Sequence, residues 1–423
     1  MPLLYPYLRK EIIMIAKVKL GNIVNIKNLV SAVSLVPYEV DLQVGSFVVN
    51  AKSILGVLGL PIGEIGIIKV NSDDPKVCTD LLEKLEKLNI LIEDDGPIIE
   101  KTTFSVCALG EMLIDFTMQG RNVQGQRLFA QNPGGAPANV LASMSKLGAR
   151  TAFIGKAGND MHGRYLKETL DNCAINSDGF TLSDEYFTTL AFVDVAENGE
   201  REFSFARNHG ADKFLEKSDV PLDIIRNSGI LHIGSISLTD EPVRSTTYFA
   251  VEKAKENGTV ISYDPNYRAS LWKNEKTAIS NMREIVKYVD IMKISDEETE
   301  LLTGVKDYKE ASQILIDKGV KIVVVTLGKD GAFVRTATDG RYVKGYKAKA
   351  VDMTGAGDSF WGGFLYQLCR SGKGPDEITI DEAAQFADFG NAVASLCVEK
   401  YGAIPAMPEI TEVENRINEQ GVM

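Results

Sequence analysis

The stretch Val351-Asp-Met-Thr-Gly-Ala-Gly-Asp-Ser-Phe-Trp-Gly-Gly-Phe364 carries the strongest indication of both fold and chemistry in this chain. Glycines interrupt an extended segment and an apolar run with small residues follows, which predicts a loop that opens a helix. Backbone N–H groups of Gly355, Ala356 and Gly357 would gather at the helix N-terminus and bind an anion. Asp358 is either an ordinary first-turn charge or a base that faces a phosphoryl group.

Composition favours a globular protein with a small-molecule partner. The chain has 423 residues, of which 44% are hydrophobic and 25% charged, and a formal net charge of −12. No basic block offsets this charge, so nucleic acid and anionic membrane surfaces are not expected partners. The five cysteines are scattered without metal-ligand spacing, and neither a secretory signal nor a membrane-spanning run is evident, which predicts a cytoplasmic protein.

Two domains are expected because the chain exceeds the size of one ordinary core. The pattern of residues 17–91 predicts a small α/β unit with strands at 18–26, 46–49 and 65–70 and a helix at 73–91. The stretch Glu93-Asp-Asp-Gly-Pro97 is typical of a linker. We therefore predict domains at residues 1–97 and 98–423.

The stretch Val49-Asn-Ala-Lys-Ser-Ile-Leu-Gly-Val-Leu-Gly-Leu60 resembles the sugar-transport phosphocarrier family known as HPr. That family phosphorylates a histidine, whereas the matching segment here, Asn28 to Ser34, has none. The resemblance therefore implies an α+β domain of HPr type that cannot carry phosphate on histidine. Ser53 is expected to cap the helix that begins at Ile54 rather than to serve as a regulatory site.

From Phe104 onward, strands alternate with helical patterns, which predicts a parallel sheet covered by helices on both faces. Residues 189–206 instead form a hairpin pattern around Asn198-Gly199. Together with residues 114–131 it predicts a small antiparallel lid over the ends of the parallel strands. The expected central strands are 105–109, 151–155, 229–233, 260–263, 291–294 and 322–327.

Candidate ligand-binding residues fall into an early and a late group. Asp115 follows a strand and is either a turn residue or a ligand for sugar hydroxyls. Gly134 and Gly135 expose bare backbone before a helix whose first turn holds Asn139.

In the late group, Thr326, Gly328 and Gly331 end a buried strand, either as a binding loop at the sheet edge or as a simple hairpin turn. Ser295 and Glu298 open a helix, which an acidic start stabilises by itself.

From about Phe104 to Pro408 the chain resembles the ribokinase-like sugar kinases, also called the PfkB family, and within it the fructokinases. The resemblance implies an α/β ribokinase-like fold, with Asp358 as the base for the accepting hydroxyl and Gly355, Ala356 and Gly357 as the anion hole. It implies a sugar site and an ATP site, and a magnesium ion held through water by Glu298. The motifs that carry it are Gly134-Gly-Ala-Pro-Ala-Asn139, Asp264-Pro-Asn-Tyr-Arg268, Lys293-Ile-Ser-Asp-Glu-Glu298, Thr326-Leu-Gly-Lys-Asp-Gly331 and Asp352-Met-Thr-Gly-Ala-Gly-Asp358. The implied sugar ligands are Asp115, Gly134, Gly135 and Asn139, and the implied nucleotide ligands are Ser295, Glu298, Thr326, Gly328, Gly331 and Asn391.

Three positions depart from the family pattern. Ser295 replaces the asparagine of its Asn-x-x-Glu motif, and Met353 replaces a threonine in the approach to the anion hole. Asp352 and Thr354 still offer oxygen atoms for the family's potassium site. Ala406 stands where some members have a hydroxyl.

The leading hypothesis is ATP-dependent phosphorylation of a free ketose, fructose above all. The alternative enzyme is a 2-keto-3-deoxygluconate kinase, in which Arg207 would pair with a substrate carboxylate. A third hypothesis is a catalytically silent sugar or nucleotide sensor. The Asp358 carboxylate disfavours it, because a binding module needs no carboxylate beside an anion site. We also expect a homodimer through the lid, and an N-terminal domain that serves as a docking surface through the apolar helix around Ile54, Leu55, Val57 and Leu58.

Overall fold

The computed structural model of the protein describes residues 12–20, 23–44, 47–60, 65–72, 75–88, 90–91, 98–100, 104–195 and 201–420. The chain divides into two compact units, Met1–Thr103 and Phe104–Met423. The division comes six residues after the predicted linker because Ile98–Glu100 pairs with Ile13–Ile15 and so belongs to the first unit.

The first unit is a five-stranded antiparallel sheet with helices. The strand predicted at 18–26 was wrong beyond Lys19, because Ile26, Leu29 and Val33 recur at helical spacing and are buried. Its strands are β1 (Ile12–Lys19), β2 (Val40–Val44), β3 (Phe47–Asn50), β4 (Ile65–Ser72) and β5 (Ile98–Glu100), in the order β3-β2-β4-β1-β5, and its helices are α1 (Ile23–Ser34), α2 (Ile54–Leu58) and α3 (Pro75–Lys87).

Ser53 caps α2, as the sequence predicts: its hydroxyl accepts a hydrogen bond from the Gly56 N–H at 3.2 Å. The apolar face of this helix is only partly exposed. Leu55 is 81% exposed, whereas Val57 is fully buried in the core of the unit. The expected docking face therefore consists of Ile54, Leu55 and Leu58 without Val57.

The second unit is built on a nine-stranded sheet whose first seven strands are parallel. Two antiparallel strands follow at one edge. In sheet order the strands are β10 (Ile175–Ser183), β9 (Thr151–Gly158), β6 (Phe104–Leu109), β13 (Ser228–Gly234), β14 (Val260–Asp264), β15 (Ile291–Ser295), β16 (Ile322–Thr326), β17 (Gly331–Thr336) and β18 (Gly340–Lys344).

Alternate residues of each strand point to opposite faces of this sheet, and helices cover both faces. Val106 and Ala108 pack in one core and Cys107 and Leu109 in the other. Helices α4 (Ala136–Lys146), α5 (Met161–Asn172), α11 (Ala356–Ser371) and α12 (Ile380–Cys397) pack on the first side, and α6 (Leu222–Arg226), α7 (Val243–Glu256), α8 (Glu275–Glu284), α9 (Thr299–Thr303) and α10 (Tyr308–Asp317) on the second; α13 (Ile410–Gln420) packs on α12.

A separate four-stranded sheet lies where the lid was predicted, but it is mixed rather than antiparallel, because its two central strands pair in parallel. It contains β7 (Leu113–Arg121), β8 (Arg127–Gly134), β11 (Leu190–Val195) and β12 (Arg201–Ala206) in the order β12-β11-β7-β8. The predicted turn at Asn198-Gly199 lies outside the described residues. Because β8 ends at Gly134 and α4 begins at Ala136, the lid leads directly into the glycine pair.

Within the part of the chain that the structure describes, every helix is too short or too polar to cross a membrane.

Candidate active site

The N-terminus of α11 forms the centre of the site. Gly355 precedes the helix with φ +77°, and a Cβ at this position would lie 2.7 Å from the Cβ of Ala403, so both backbone and space require glycine. The first-turn N–H groups of a helix have no partner within it and carry a partial positive charge. Gly355, Ala356 and Gly357 therefore lie where the expected anion hole requires N–H groups, although the Ala356 N–H also donates to the Met353 carbonyl at 3.3 Å. The buried carboxyl of Asp358 lies beside them.

Asp358 is held by the opposite helix. Its Oδ2 accepts a hydrogen bond from Asn139 Nδ2 at 2.7 Å, and Asn139 lies in the first turn of α4, which Gly135 opens with φ +119°. Burial raises the pKa of Asp358, and the ammonium of Lys293 and the bond from Asn139 partly offset this effect. Among the described residues, Asn139 Oδ1 has no hydrogen-bond partner although it is buried.

Asp115 of the lid faces the same space. It lies opposite Asn132 in the β7–β8 pair, and a Cβ at Gly134 would come 2.2 Å from its Oδ2. Gly134 thus leaves room for this carboxylate, which joins Gly135 and Asn139 at the expected sugar site.

One cavity of about 420 Å³ brings these groups together. Eleven of the predicted site residues line it: Asp115, Gly135, Asn139, Ser295, Glu298, Thr326, Thr354, Gly355, Ala356, Gly357 and Asp358. A volume of this size accommodates a small ligand. Motifs that are distant in the sequence therefore converge at the edge of the sheet where the parallel strands end.

The remaining nucleotide candidates lie around the loop that follows β16. Gly328 and Gly331 have φ of +57° and +113°, so this backbone favours glycine at both positions. Asn391 in α12 donates its side-chain amide to the carbonyl of Lys344 at 3.2 Å. It ties α12 to the end of β18.

Glu298 connects two of the motif loops. Its Oε1 accepts from the Tyr267 N–H at 2.7 Å and its Oε2 from the Ser295 N–H at 2.9 Å. Burial and the neighbouring Asp264 raise the pKa of Glu298. Each carboxylate oxygen retains a lone pair, so an ordered water that ligates a metal ion fits this position.

Asp352 and Thr354 lie at a small adjoining cavity of about 30 Å³. Asp352 Oδ1 accepts from the N–H and the hydroxyl of Thr354, at 2.9 and 2.6 Å, and its Oδ2 accepts from the Gly402 N–H at 3.0 Å. Across the described residues no set of three or more His, Cys, Asp or Glu side chains has metal-binding geometry. A cation at either place would therefore take most of its ligands from carbonyls, water and bound phosphate.

Arg207 is engaged within the protein. Its Nε donates to Asp212 at 2.7 Å, its NH1 to Thr239 at 2.8 Å and its NH2 to the Ile236 carbonyl at 3.2 Å. Both members of the Arg207–Asp212 ion pair are buried. Arg207 is not among the residues that line the cavity of about 420 Å³, and Asp212 already provides it with a carboxylate partner, so its contact with substrate stays a prediction.

Sequence reasoning gave no site role to four charged residues that line the cavity: Arg268, Glu297 and the two buried ones, Glu111 and Lys293. Glu111 Oε1 accepts from the Ala136 N–H at 3.1 Å and its Oε2 is buried without a partner, and burial raises its pKa to about 7. Lys293 Nζ lies 2.6 Å from Asp264 Oδ2. Both residues left a signal in the sequence: an acid directly after a buried strand, and a lysine inside an apolar one.

Comparison with known proteins identifies a family that this chain matches over most of its length. The profile of the pfkB family carbohydrate kinases matches residues 103–410. Fructokinase-2 of Oryza sativa subsp. japonica is 39% identical over 319 residues, which cover 74% of this chain and 94% of that protein.

Two solved structures are also similar to this chain. The fructokinase from Xylella fastidiosa with bound ATP has a TM-score of 0.67 and 30% identity, over 74% of this chain and 98% of the other. A double mutant of the Vibrio cholerae O395 fructokinase, with fructose, ADP and potassium bound, has a TM-score of 0.66 and 33% identity over the same shares.

Proposed function

This chain belongs to the pfkB carbohydrate kinase family, and we propose that it is an ATP-dependent fructokinase. Relatives from Oryza sativa subsp. japonica and Solanum habrochaites, matched over 94% of their length, are fructokinases, and two structural neighbours hold ATP, or fructose with ADP. The observation that carries the proposal is the buried Asp358 carboxylate, placed at the anion-binding helix end and aimed by Asn139.

Asp358 is the base of the proposed reaction. It accepts the proton of the sugar hydroxyl while that oxygen forms a bond to the γ-phosphorus of ATP and the bond from this phosphorus to the bridging oxygen of ADP breaks. Asn139 orients the carboxylate, and its unpartnered Oδ1 accepts a hydrogen bond from a sugar hydroxyl. The N–H groups at Gly355, Ala356 and Gly357 stabilise the negative charge of the transferred group.

Sugar and nucleotide are proposed to enter from the two sides of Asp358. Asp115 and Gly135 lie on the lid side of the cavity and bind the sugar with Asn139, and Gly134 makes room for the Asp115 carboxylate. Thr326 and Ser295 lie on the opposite side, towards the glycine loop after β16, and are proposed to face ATP with Gly328, Gly331 and Asn391.

Two cations complete the proposed site. A magnesium ion would neutralise the phosphates of ATP and bind Glu298 through water, since that carboxylate already accepts two backbone N–H groups. A potassium ion would bind oxygen atoms of Asp352 and Thr354, in line with the potassium in the Vibrio cholerae O395 structure.

The proposal assigns fructose rather than 2-keto-3-deoxygluconate as the substrate. An acidic sugar needs a cation that is available to its carboxylate. Arg207, the residue that suggested this alternative, is paired with the buried Asp212.

A substrate panel and one variant test the proposal. The full-length protein should consume ATP with fructose and much less with sugar acids. Asp358→Asn preserves the shape and the bond to Asn139 but removes the base, so kcat should fall on the order of 10²–10⁴-fold while fructose binding persists. Near-normal turnover in this variant would refute the role of Asp358.

We further propose that the lid forms a homodimer contact. Leu128, Phe129 and Phe192 are between 36% and 47% exposed and form an apolar surface. The ring of Phe192 stacks on that of Phe116, with 5.4 Å between the ring centroids. Sedimentation of a Phe192→Ser variant, compared with the parent protein, checks this contact; an unchanged assembly state would contradict it.

A further inference from the structure

The cavity contains one buried cation to which the proposed reaction has so far given no role. Lys293 lies on β15 with a side chain only 7% exposed, and its ion-pair partner Asp264, at the end of the neighbouring strand β14, is 1% exposed. A lysine rarely lies inside an apolar strand unless it is paired or functional. The pair at 2.6 Å fixes the ammonium at the carboxyl ends of the strands.

The ammonium lies beside the anion hole. A Cβ at Gly357 would come 3.0 Å from Lys293 Nζ, so the glycine leaves open the space between the ammonium and the first turn of α11. An ammonium has three N–H donors, and Asp264 accepts one of them. The other two are available to oxygen atoms of an anion that the helix N-terminus binds.

The charge balance around Lys293 supports the same role. Burial alone would lower the pKa of Lys293, but the carboxylates of Asp264, Glu298 and Asp358 together raise it, so the side chain stays protonated. In phosphoryl transfer, negative charge spreads over the oxygens of the group in transit, and a fixed buried cation stabilises it strongly.

We propose that Lys293 is a catalytic residue that donates hydrogen bonds to the phosphoryl group as it passes from ATP to the sugar. The inference rests on the proposed kinase function. Asp358 takes the proton of the hydroxyl, ADP leaves with the bridging oxygen, and Lys293 keeps its proton throughout. Asp264 acts as a positioning residue, because it touches Lys293 and holds the ammonium in place.

The test compares Lys293→Met with the double variant Asp264→Asn/Lys293→Met. The single variant leaves the buried Asp264 carboxylate without its cation and is expected to be less stable, whereas the double variant removes both charges. Both should have a kcat about 10²–10³-fold below that of the parent, with a KM for fructose within about threefold. A folded double variant with kcat within about threefold of the parent would overturn the proposal.

The pH dependence of kcat distinguishes direct contact between Lys293 and the phosphoryl group from an indirect effect of Lys293 on Asp358. Lys293, Asp264 and Arg268 are the charged groups that act on Asp358, and loss of the ammonium should move the acidic limb of the rate profile to higher pH. If Lys293 acted only through Asp358, activity would recover fully at alkaline pH, which would overturn the proposal. We expect the deficit to persist there.

A binding measurement needs no turnover. ADP with aluminium fluoride and fructose imitates the group in transit, and the double variant should bind this mixture about 10²–10³-fold more weakly while it binds ADP alone normally. Equal affinity for the mixture would overturn the proposal. Parent protein that consumes ATP with another sugar but not with fructose would refute only the fructose assignment, and the Lys293 comparison is then made with that sugar.

Discussion

Replacement of Glu111 by glutamine should stabilise the second unit, and it should do so mainly above neutral pH. The Glu111 side chain is 3% exposed, and its Oε2 has no hydrogen-bond partner. Burial raises its pKa from 4.5 to about 7, with only partial relief from its own backbone N–H, Arg207 and the Ala136 N–H. The folded protein therefore resists ionisation of this carboxyl more than the unfolded chain does.

The size of the stability difference follows from the raised pKa of Glu111. Since the folded pKa lies above the unfolded one, the contribution of Glu111 to stability is greatest below pH 4.5 and is lost as pH rises through about 7. A rise of the Glu111 pKa from 4.5 to about 7 corresponds to about 3 kcal/mol of lost stability at about pH 8, and to less than about 1 kcal/mol at about pH 5. Glutamine is neutral at both pH values and can still accept from Ala136.

Urea unfolding followed by tryptophan fluorescence measures the difference. The two tryptophans of the chain, Trp272 and Trp361, are both buried in the second unit, so the signal reports on that unit. Glu111→Gln should raise the free energy of unfolding by about 3 kcal/mol at about pH 8 and by much less at about pH 5. An equal difference at the two pH values would refute the burial argument.

Two further predictions concern the buried ion pair and the first unit. Arg207→Ala should lower the free energy of unfolding by about 3–5 kcal/mol, because Asp212 stays buried without its cation. The value of kcat/KM with fructose should fall modestly. If fructose binding were lost while the free energy of unfolding stayed unchanged, the guanidinium would instead belong to the sugar site. Removal of residues 1–103 should leave kcat nearly unchanged, because the cavity residues all belong to the second unit. Assembly state or solubility should change instead, and a folded but inactive truncation would show that the first unit completes the site.

Local sequence patterns predicted most of the fold and the central chemistry. Five of the six central strands lie within about one residue of their expected bounds, and the sixth, Thr151–Gly158, extends three residues further than expected. Buried parallel strands are short apolar runs, so their recognition needs no distant information. Asp358 and the three residues before it are adjacent in the chain, so the loop and helix start that display them are local as well.

The sequence failed where two kinds of pattern overlap. Residues 23–26 continue the alternation of β1 but also begin the helical repeat of α1, and only the burial of Leu29 and Val33 decides for the helix. At Ile98–Glu100, pairing with β1 assigns to the first unit a segment that follows the linker signal.

Contacts between distant residues were decided by the tertiary structure alone. Asn139 and Asp358 are 219 positions apart in the chain, and only the packing of α4 against α11 places their side chains 2.7 Å apart. Arg207 carries the same charge whether it faces a ligand or Asp212, and the fold directs it to Asp212. Lys293 begins one of the quoted motifs but has no role that its sequence position reveals, and it becomes part of the site because parallel strands end at one edge of the sheet. Residue type and local spacing specify which groups are present, whereas the free energy of a buried charge depends on neighbours that only the folded chain supplies.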